Sequence, residues 1–139
     1  MTTAAAVLTL GRMPPFVSAS GLILDGDRVL TVYDPIRAEH VLPGGHLKWR
    51  ELPEDAVRRE VREETGYSIE LIGRPDILAG EEAAGEPGVV RVLYRATILS
   101  GELTSSAEGE AAWIPLDQLI SEGGRDSALL DEAASRQTP

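Results

Sequence analysis

The chain has no cysteine, a single lysine, and Trp, Tyr and Phe make up only 4% of its 139 residues. Without cysteine there can be no disulfide and no thiolate metal site, which agrees with a reducing cytoplasm. Positive charge is scarce as well. Against 23 Asp and Glu stand 13 Lys and Arg, for a net charge of −10 at pH 7. That balance argues against general binding to nucleic acid, which needs a basic footprint. It does not argue against a phosphorylated small molecule, provided a cation offsets the repulsion locally. No apolar stretch reaches membrane length. The short run Ala4 to Leu10 lacks a basic start and reads as a frayed or edge segment. There is no Gly-x-Ser-x-Gly elbow and no Gly-Lys-Ser/Thr phosphate loop. His40 and His46 lack a zinc-type spacing.

What is present suits one globular domain over residues 1–139, with 42% hydrophobic content and loose termini expected at 1–14 and 135–139. Val17–Leu24 and Arg28–Tyr33 flank Asp25-Gly26-Asp27 and predict a β-hairpin. His40-Val41-Leu42 predicts a short strand leading to a Pro43-Gly44-Gly45 turn, where paired glycines allow a close approach of backbone to ligand. Tyr67–Leu78 predicts a strand bent at Gly73 and Pro75. Ala79–Gly88 reads as a mobile loop placed to act as a lid. Val89–Leu99 is the clearest strand, with Val90, Val92, Tyr94, Ala96 and Ile98 on one face and Arg91, Leu93, Arg95 and Thr97 on the other. Arg91 and Arg95 could steer a phosphate, but on a half-exposed sheet solvent-facing arginines are the favoured account. Trp113 lies in a further strand ending at Pro115. Two short helices follow, Leu116–Glu122 and Ser127–Ala134. Trp49 reads as a loop aromatic covering the edge of the core.

The chain is organised around Gly44–Tyr67. Pro53 is acceptable at a first helical position and Gly66 is expected just past an end, so Pro53–Thr65 predicts a helix. Leu52 leaves its start without the usual side-chain cap. Glu60, Glu63 and Glu64, at i, i+3 and i+4, stack on one side. Glu- and Arg-rich helices are usually solvated. Here, with Ala56 at zero on a wheel of about 100° per residue, Val57 and Val61 fall near 100° and 140°. Glu60, Glu64 and Glu63 fall near 40°, 80° and 340°, while Arg58, Arg59 and Arg62 lie between about 200° and 300°. The acids thus share the apolar side. Inward carboxylates need a partner, and three together suit a hard divalent cation.

These residues carry a resemblance. Gly45, Glu51, Arg59-Glu60-Val61, Glu63-Glu64 and Gly66 resemble the Nudix box, G-x5-E-x7-R-E-U-x-E-E-x-G-U with U a bulky aliphatic. Only Tyr67 departs from it. The resemblance implies an α/β fold, a mixed β-sheet sandwiched between α-helices. It implies a hydrolase that uses Mg²⁺ or Mn²⁺ to cleave a diphosphate linked to another moiety, on a nucleoside di- or triphosphate or a nucleotide derivative. Glu60 and Glu64 are then the direct metal ligands, with Glu63 a further or water-mediated one. Gly44, Gly45 and His46 lie where substrate would bind, and Glu51, Arg59 and Gly66 hold the loop–helix–loop together.

The general base is open within the family. A box glutamate, Glu63 or Glu64, or an acid from a later loop would serve, and of Glu108 and Glu110 the reading leans to Glu110. The alternatives are a catalytically silent nucleotide-binding sensor and, less compatible with a short chain without cysteine, isoprenoid diphosphate isomerisation. Further expectations are a cytoplasmic location, no membrane or nucleic-acid partner, and a homodimer as in many relatives.

Overall fold

The expected hairpin is present. Strands β1 (Phe16–Asp25) and β2 (Arg28–Asp34) flank a turn in which Gly26 adopts φ +62°, a value open to glycine and costly for most side chains. The two strands pair only at their tips, Leu24 with Val29 and Asp25 with Arg28. The rest of the computed structural model, which describes residues 14–81, 88–106 and 109–137, explains why. After β3 (Glu39–Val41), β4 (Gly44–His46), helix α1 (Pro53–Thr65) and β5 (Tyr67–Glu81) comes β6 (Gly88–Gly101). From Phe16 opposite Val89 to Ile23 opposite Ala96, β1 runs parallel to β6. Strand β7 (Glu110–Pro115) and helices α2 (Leu116–Ser121) and α3 (Arg125–Gln137) complete the chain.

Among the described residues the strands form one seven-stranded sheet, ordered β3-β2-β1-β6-β5, with β4 added to β1 and β7 to β2. Only β1 and β6 pair in parallel; the other pairings are antiparallel. The sheet is therefore mixed, and it is flanked by helices on both faces. Ala56, Val57 and Val61 of α1 pack with Ala19, Ile23, Val92, Tyr94 and Ala96 on one face. Leu129 and Leu130 of α3 and Leu119 of α2 pack with Leu42, Leu78, Leu93 and Ile114 on the other.

That double cover corrects the sequence reading of β6. Adjacent residues Val92 and Leu93 are both buried, one in each apolar layer. The sheet is not half exposed here, so Arg91 is not solvated; its side chain is 11% exposed and lies 3.4 Å from Asp126. Arg95 instead pairs with Asp76 at 2.8 Å. Strand β5 is continuous but changes register between Ile72 and Asp76, across Gly73 and Pro75.

Other boundaries shift. The segment expected to be a lid begins and ends as strand, at Ala79–Glu81 and Gly88, and residues 82–87 lie outside the described residues. Helix α3 starts two residues before Ser127 and runs through Gln137, into the expected loose tail. Residues 1–13 and 138–139 lie outside the described residues. Trp49 covers no core: it is 89% exposed. Among the described residues no helix is long and apolar enough to cross a membrane.

Candidate active site

Strand β4 and helix α1 form the site's frame. The Pro43-Gly44-Gly45 segment is not the tight turn that its composition suggests. Gly44 and Gly45 are strand residues paired with Ser20 and Ala19, and neither has a positive φ. Their lack of a side chain answers a steric need. A Cβ on Gly44 would collide with the backbone of Ala19 and Ser20. A Cβ on Gly45 would fall 2.7 Å from Glu60 Oε1. The glycines let an acidic helix lie directly on a strand.

Helix α1 begins as expected, at an N-cap Leu52 that makes no side-chain cap bond, and Asp55 N and Ala56 N donate to the Leu52 carbonyl instead. It ends at Gly66 in the left-handed region, φ +84°, whose N–H donates to Arg62 O at 3.0 Å. Ala56, Val57 and Val61 are fully buried, as the wheel requires. Glu64 joins them at 9% exposure, and its Oε1 accepts the Gly44 N–H at 2.8 Å. The Glu60 side chain is 13% exposed, whereas that of Glu63 is 51% exposed. Two of the three acids thus turn inward and the third faces out, because the i+3 position lies on the edge of the buried arc.

Arg59 does not face away with Arg58 and Arg62. Its guanidinium returns along the helix and grips Glu51 in a fork, Nε to Oε2 at 2.7 Å and Nη2 to Oε1 at 2.8 Å. Nη1 reaches Glu60 at 2.9 Å and Glu63 at 3.3 Å, and Nη2 lies 3.4 Å from the His46 carbonyl. One arginine therefore ties the loop before the helix to two of its acids and to β4. Paired, planar contacts of this kind are what a guanidinium makes and an ammonium cannot.

The fork has a titration consequence. Hydrogen bonds from Arg59 first, and then from the Lys48 backbone N–H, hold the Glu51 carboxyl at about 2, below its usual 4.5. A carboxyl depressed in the folded state stabilises fully above the unfolded value and loses that contribution as pH falls through the folded value. The window therefore runs from about 4.5 down to about 2. Urea midpoints measured across it should fall with pH in the wild type, and Glu51→Gln should flatten that slope. An identical slope in the variant would remove Glu51 from the account.

Other sequence candidates are placed as follows. His46 is exposed and its ring stacks on Phe16, with centroids 5.0 Å apart. Glu110 opens β7, exposed and opposite Tyr33, and lines neither of the cavities beside Gly44. Glu108 lies outside the described residues. Tyr67, the departure from the box pattern, is packed beside Trp113, whose Nε1 lies 3.3 Å from its hydroxyl.

Those cavities join residues that the sequence reading named, Gly44, His46 and Arg91, to others that it missed, Ser18, Ser20 and Arg125. One of about 270 Å³, on the α3 side of β4, is lined by Ser18, Ser20, Gly44, His46, Arg91 and Arg125 among others. A second of about 470 Å³ adjoins Gly44, Glu64 and Arg125. Asp126, its side chain fully buried, accepts the Leu42 N–H at 2.6 Å and stands 3.4 Å from Arg91 and 3.5 Å from Arg125. An Asp in a first helical turn gives no sign in sequence that it will be buried. The alternation Ser18-Ala19-Ser20 in an apolar strand was the one available signal.

Among the described residues no group of three or more His, Asp or Glu is arranged to hold a metal ion. Glu60 and Glu63 are ion-paired with Arg59. The donors are nonetheless of the right kind for a hard cation: carboxylate oxygens on the inward side of α1, one of them cradled against Gly45, where a Cβ would not fit.

A NUDIX domain model matches residues 14–134. A MutT-like protein of Streptomyces ambofaciens is 34% identical over 110 residues, covering 76% of this chain and 69% of that protein. An ADP-ribose pyrophosphatase of Methanocaldococcus jannaschii is 26% identical over 109 residues, covering 76% of this chain and 64% of that one. Among solved structures, a NUDIX hydrolase from Nitrosomonas europaea superposes with a TM-score of 0.75 at 25% identity, covering 90% of this chain and 93% of the other.

Proposed function

Since the chain belongs to the NUDIX domain family, we propose that it is a divalent-cation-dependent hydrolase of a phosphoanhydride. The bond cleaved is a phosphoanhydride within a nucleoside diphosphate linked to another moiety, in a nucleoside di- or triphosphate or a nucleotide derivative. The observation that carries this reading is the seating of Glu64 and Glu60 on the glycines of β4. One is buried with an oxygen on the Gly44 N–H, and the other lies where a Gly45 side chain would stand. Arg59 compensates Glu60 and the Gly44 N–H compensates Glu64, and the pair sets carboxylate oxygens of the kind a hard cation takes beside two strand residues with no side chains.

Glu60 and Glu64, with Glu63, are the residues that would hold Mg²⁺ or Mn²⁺, which supplies neutralisation of phosphate oxygens and acidifies the attacking water. The Gly44–His46 backbone offers the surface on which the diphosphate lies. Glu63, half exposed, Glu64 and Glu110 are the candidates for taking the water's proton. Arg59, Glu51 and Gly66 shape the helix and its approaches. The name of the Methanocaldococcus relative makes ADP-ribose a reasonable member of the substrate panel.

One observation favours a second reading, a silent nucleotide-binding domain: Arg59 occupies Glu60 and Glu63 with its own positive charge. Phosphate release separates the two. A panel of nucleoside triphosphates, nucleoside diphosphates and ADP-ribose, with Mg²⁺ or Mn²⁺ and with chelator, should give cation-dependent turnover on at least one member. Binding of a nucleotide with no turnover on any would favour the silent domain.

A further inference from the structure

The α3 side of β4 carries chemistry that the acids do not use. On a chain of net charge −10, two guanidinium groups, Arg91 and Arg125, line a single cavity. Asp126 lies between them and is fixed from behind by the Leu42 N–H, so it orients both cations without reaching solvent. Glu39 approaches the backbone N–H of Arg125, at 3.4 Å. The same cavity is lined by Ser18, only 3% exposed, whose Oγ has no hydrogen-bond partner among the described residues. Arg125 Nε is buried and ion-paired with Asp126 Oδ1 at 3.5 Å, which turns the other end of the guanidinium to the cavity. A buried hydroxyl left unsatisfied is costly, and a site that keeps one is a site in which a ligand brings the acceptor.

The acceptor that matches a serine hydroxyl beside a guanidinium is a phosphoryl oxygen. A nucleobase would ask for an aromatic platform. Among the described residues the lining contains no Trp, Tyr or Phe, and the His46 ring is stacked on Phe16. We infer that this cavity binds a phosphoryl group of the substrate through Arg125 and Ser18 Oγ, with Asp126 as the positioning residue. The inference rests on the proposed function in taking that group to belong to the hydrolysed molecule. Gly44 and Gly45 then lie between the acids of α1 and this cavity, and Arg125, which also lines the second cavity beside Glu64, holds the phosphate chain at its far end.

Calorimetric titration without divalent metal tests the cavity apart from the reaction. Inorganic pyrophosphate and adenosine are titrated into the wild type, Arg125→Gln, Ser18→Ala and Arg58→Gln, the last an equal change of charge on the exposed face of α1. Saturable pyrophosphate binding is expected in the wild type, weakened at least tenfold by Arg125→Gln and about threefold by Ser18→Ala, and within twofold in Arg58→Gln. Adenosine should not saturate. Absence of wild-type pyrophosphate binding would overturn the inference, as would equal weakening in Arg58→Gln and Arg125→Gln, or adenosine binding as tightly as pyrophosphate. If Arg125→Gln does not fold, Ser18→Ala decides: unchanged affinity there counts against the cavity. Loss of turnover on every nucleotide with pyrophosphate binding intact would remove the enzymatic reading alone. Turnover with binding insensitive to both variants would remove the cavity alone.

Discussion

Replacing Glu64 with glutamine is expected to lower turnover by about 10²–10⁴-fold, the range for loss of an acid–base or metal-holding group, with the fold left standing. The variant is close to isosteric. Its amide oxygen can still accept the Gly44 N–H that Glu64 Oε1 accepts at 2.8 Å, so the anchor between α1 and β4 is preserved. What disappears is the acid group of a residue that is 9% exposed. If that group served only the fold, its replacement would cost nothing in rate. Turnover measured beside the melting temperature separates these outcomes. Near-wild-type turnover would refute a role for Glu64 in holding the cation or moving the proton. A collapse in melting temperature would instead place its importance in packing.

Arg59→Ala should show the opposite profile, with stability falling by about 2–4 kcal/mol, toward the lower end of the range for breaking a buried ion pair because the site is partly open. At the few degrees per kcal/mol usual for domains of this size, that is roughly 10 °C in melting temperature. The physical reason is the number of groups left behind. Glu51 loses both halves of its fork, and Glu60 loses a contact at 2.9 Å while only 13% exposed. Three carboxylates remain near one another without the cation that reconciles them. Residual activity is expected to be reduced through the displaced loop, and to be restored in part by raising Mg²⁺, which can take over the neutralisation. A variant with wild-type melting temperature would show that the Glu51–Arg59 fork is not what holds the loop to the helix.

The helix and its boundaries were legible before any coordinates. Pro53 and Gly66 act through their own backbone preferences, and Ala56, Val57 and Val61 mark one side by their period alone. The hairpin was legible for the same local reason, a glycine turn between apolar runs. The mixed sheet between helices came from the resemblance of the box. What misled was the surroundings assumed for each residue. Arg91 reads as a solvated strand arginine only if one face of β6 is open, and α3 closes that face. Gly44-Gly45 reads as a turn because glycine is flexible, yet its use here is thinness, which depends on Ala19, Ser20 and Glu60 approaching from elsewhere in the chain.

The same division holds at the site. Residue order alone established that Glu60, Glu63 and Glu64 lie on neighbouring turns, since helical spacing depends on nothing beyond the helix. Which of them enters the protein, where Arg59 sends its guanidinium, and the meeting of Ser18, Arg91, Arg125 and Asp126 beside β4 were decided by the tertiary structure. Those residues come from β1, β6 and α3, and their nearness is a product of strand pairing and helix packing. Local rules carry a side chain's direction a few residues along the chain; its neighbours across the sheet depend on how the whole chain closes.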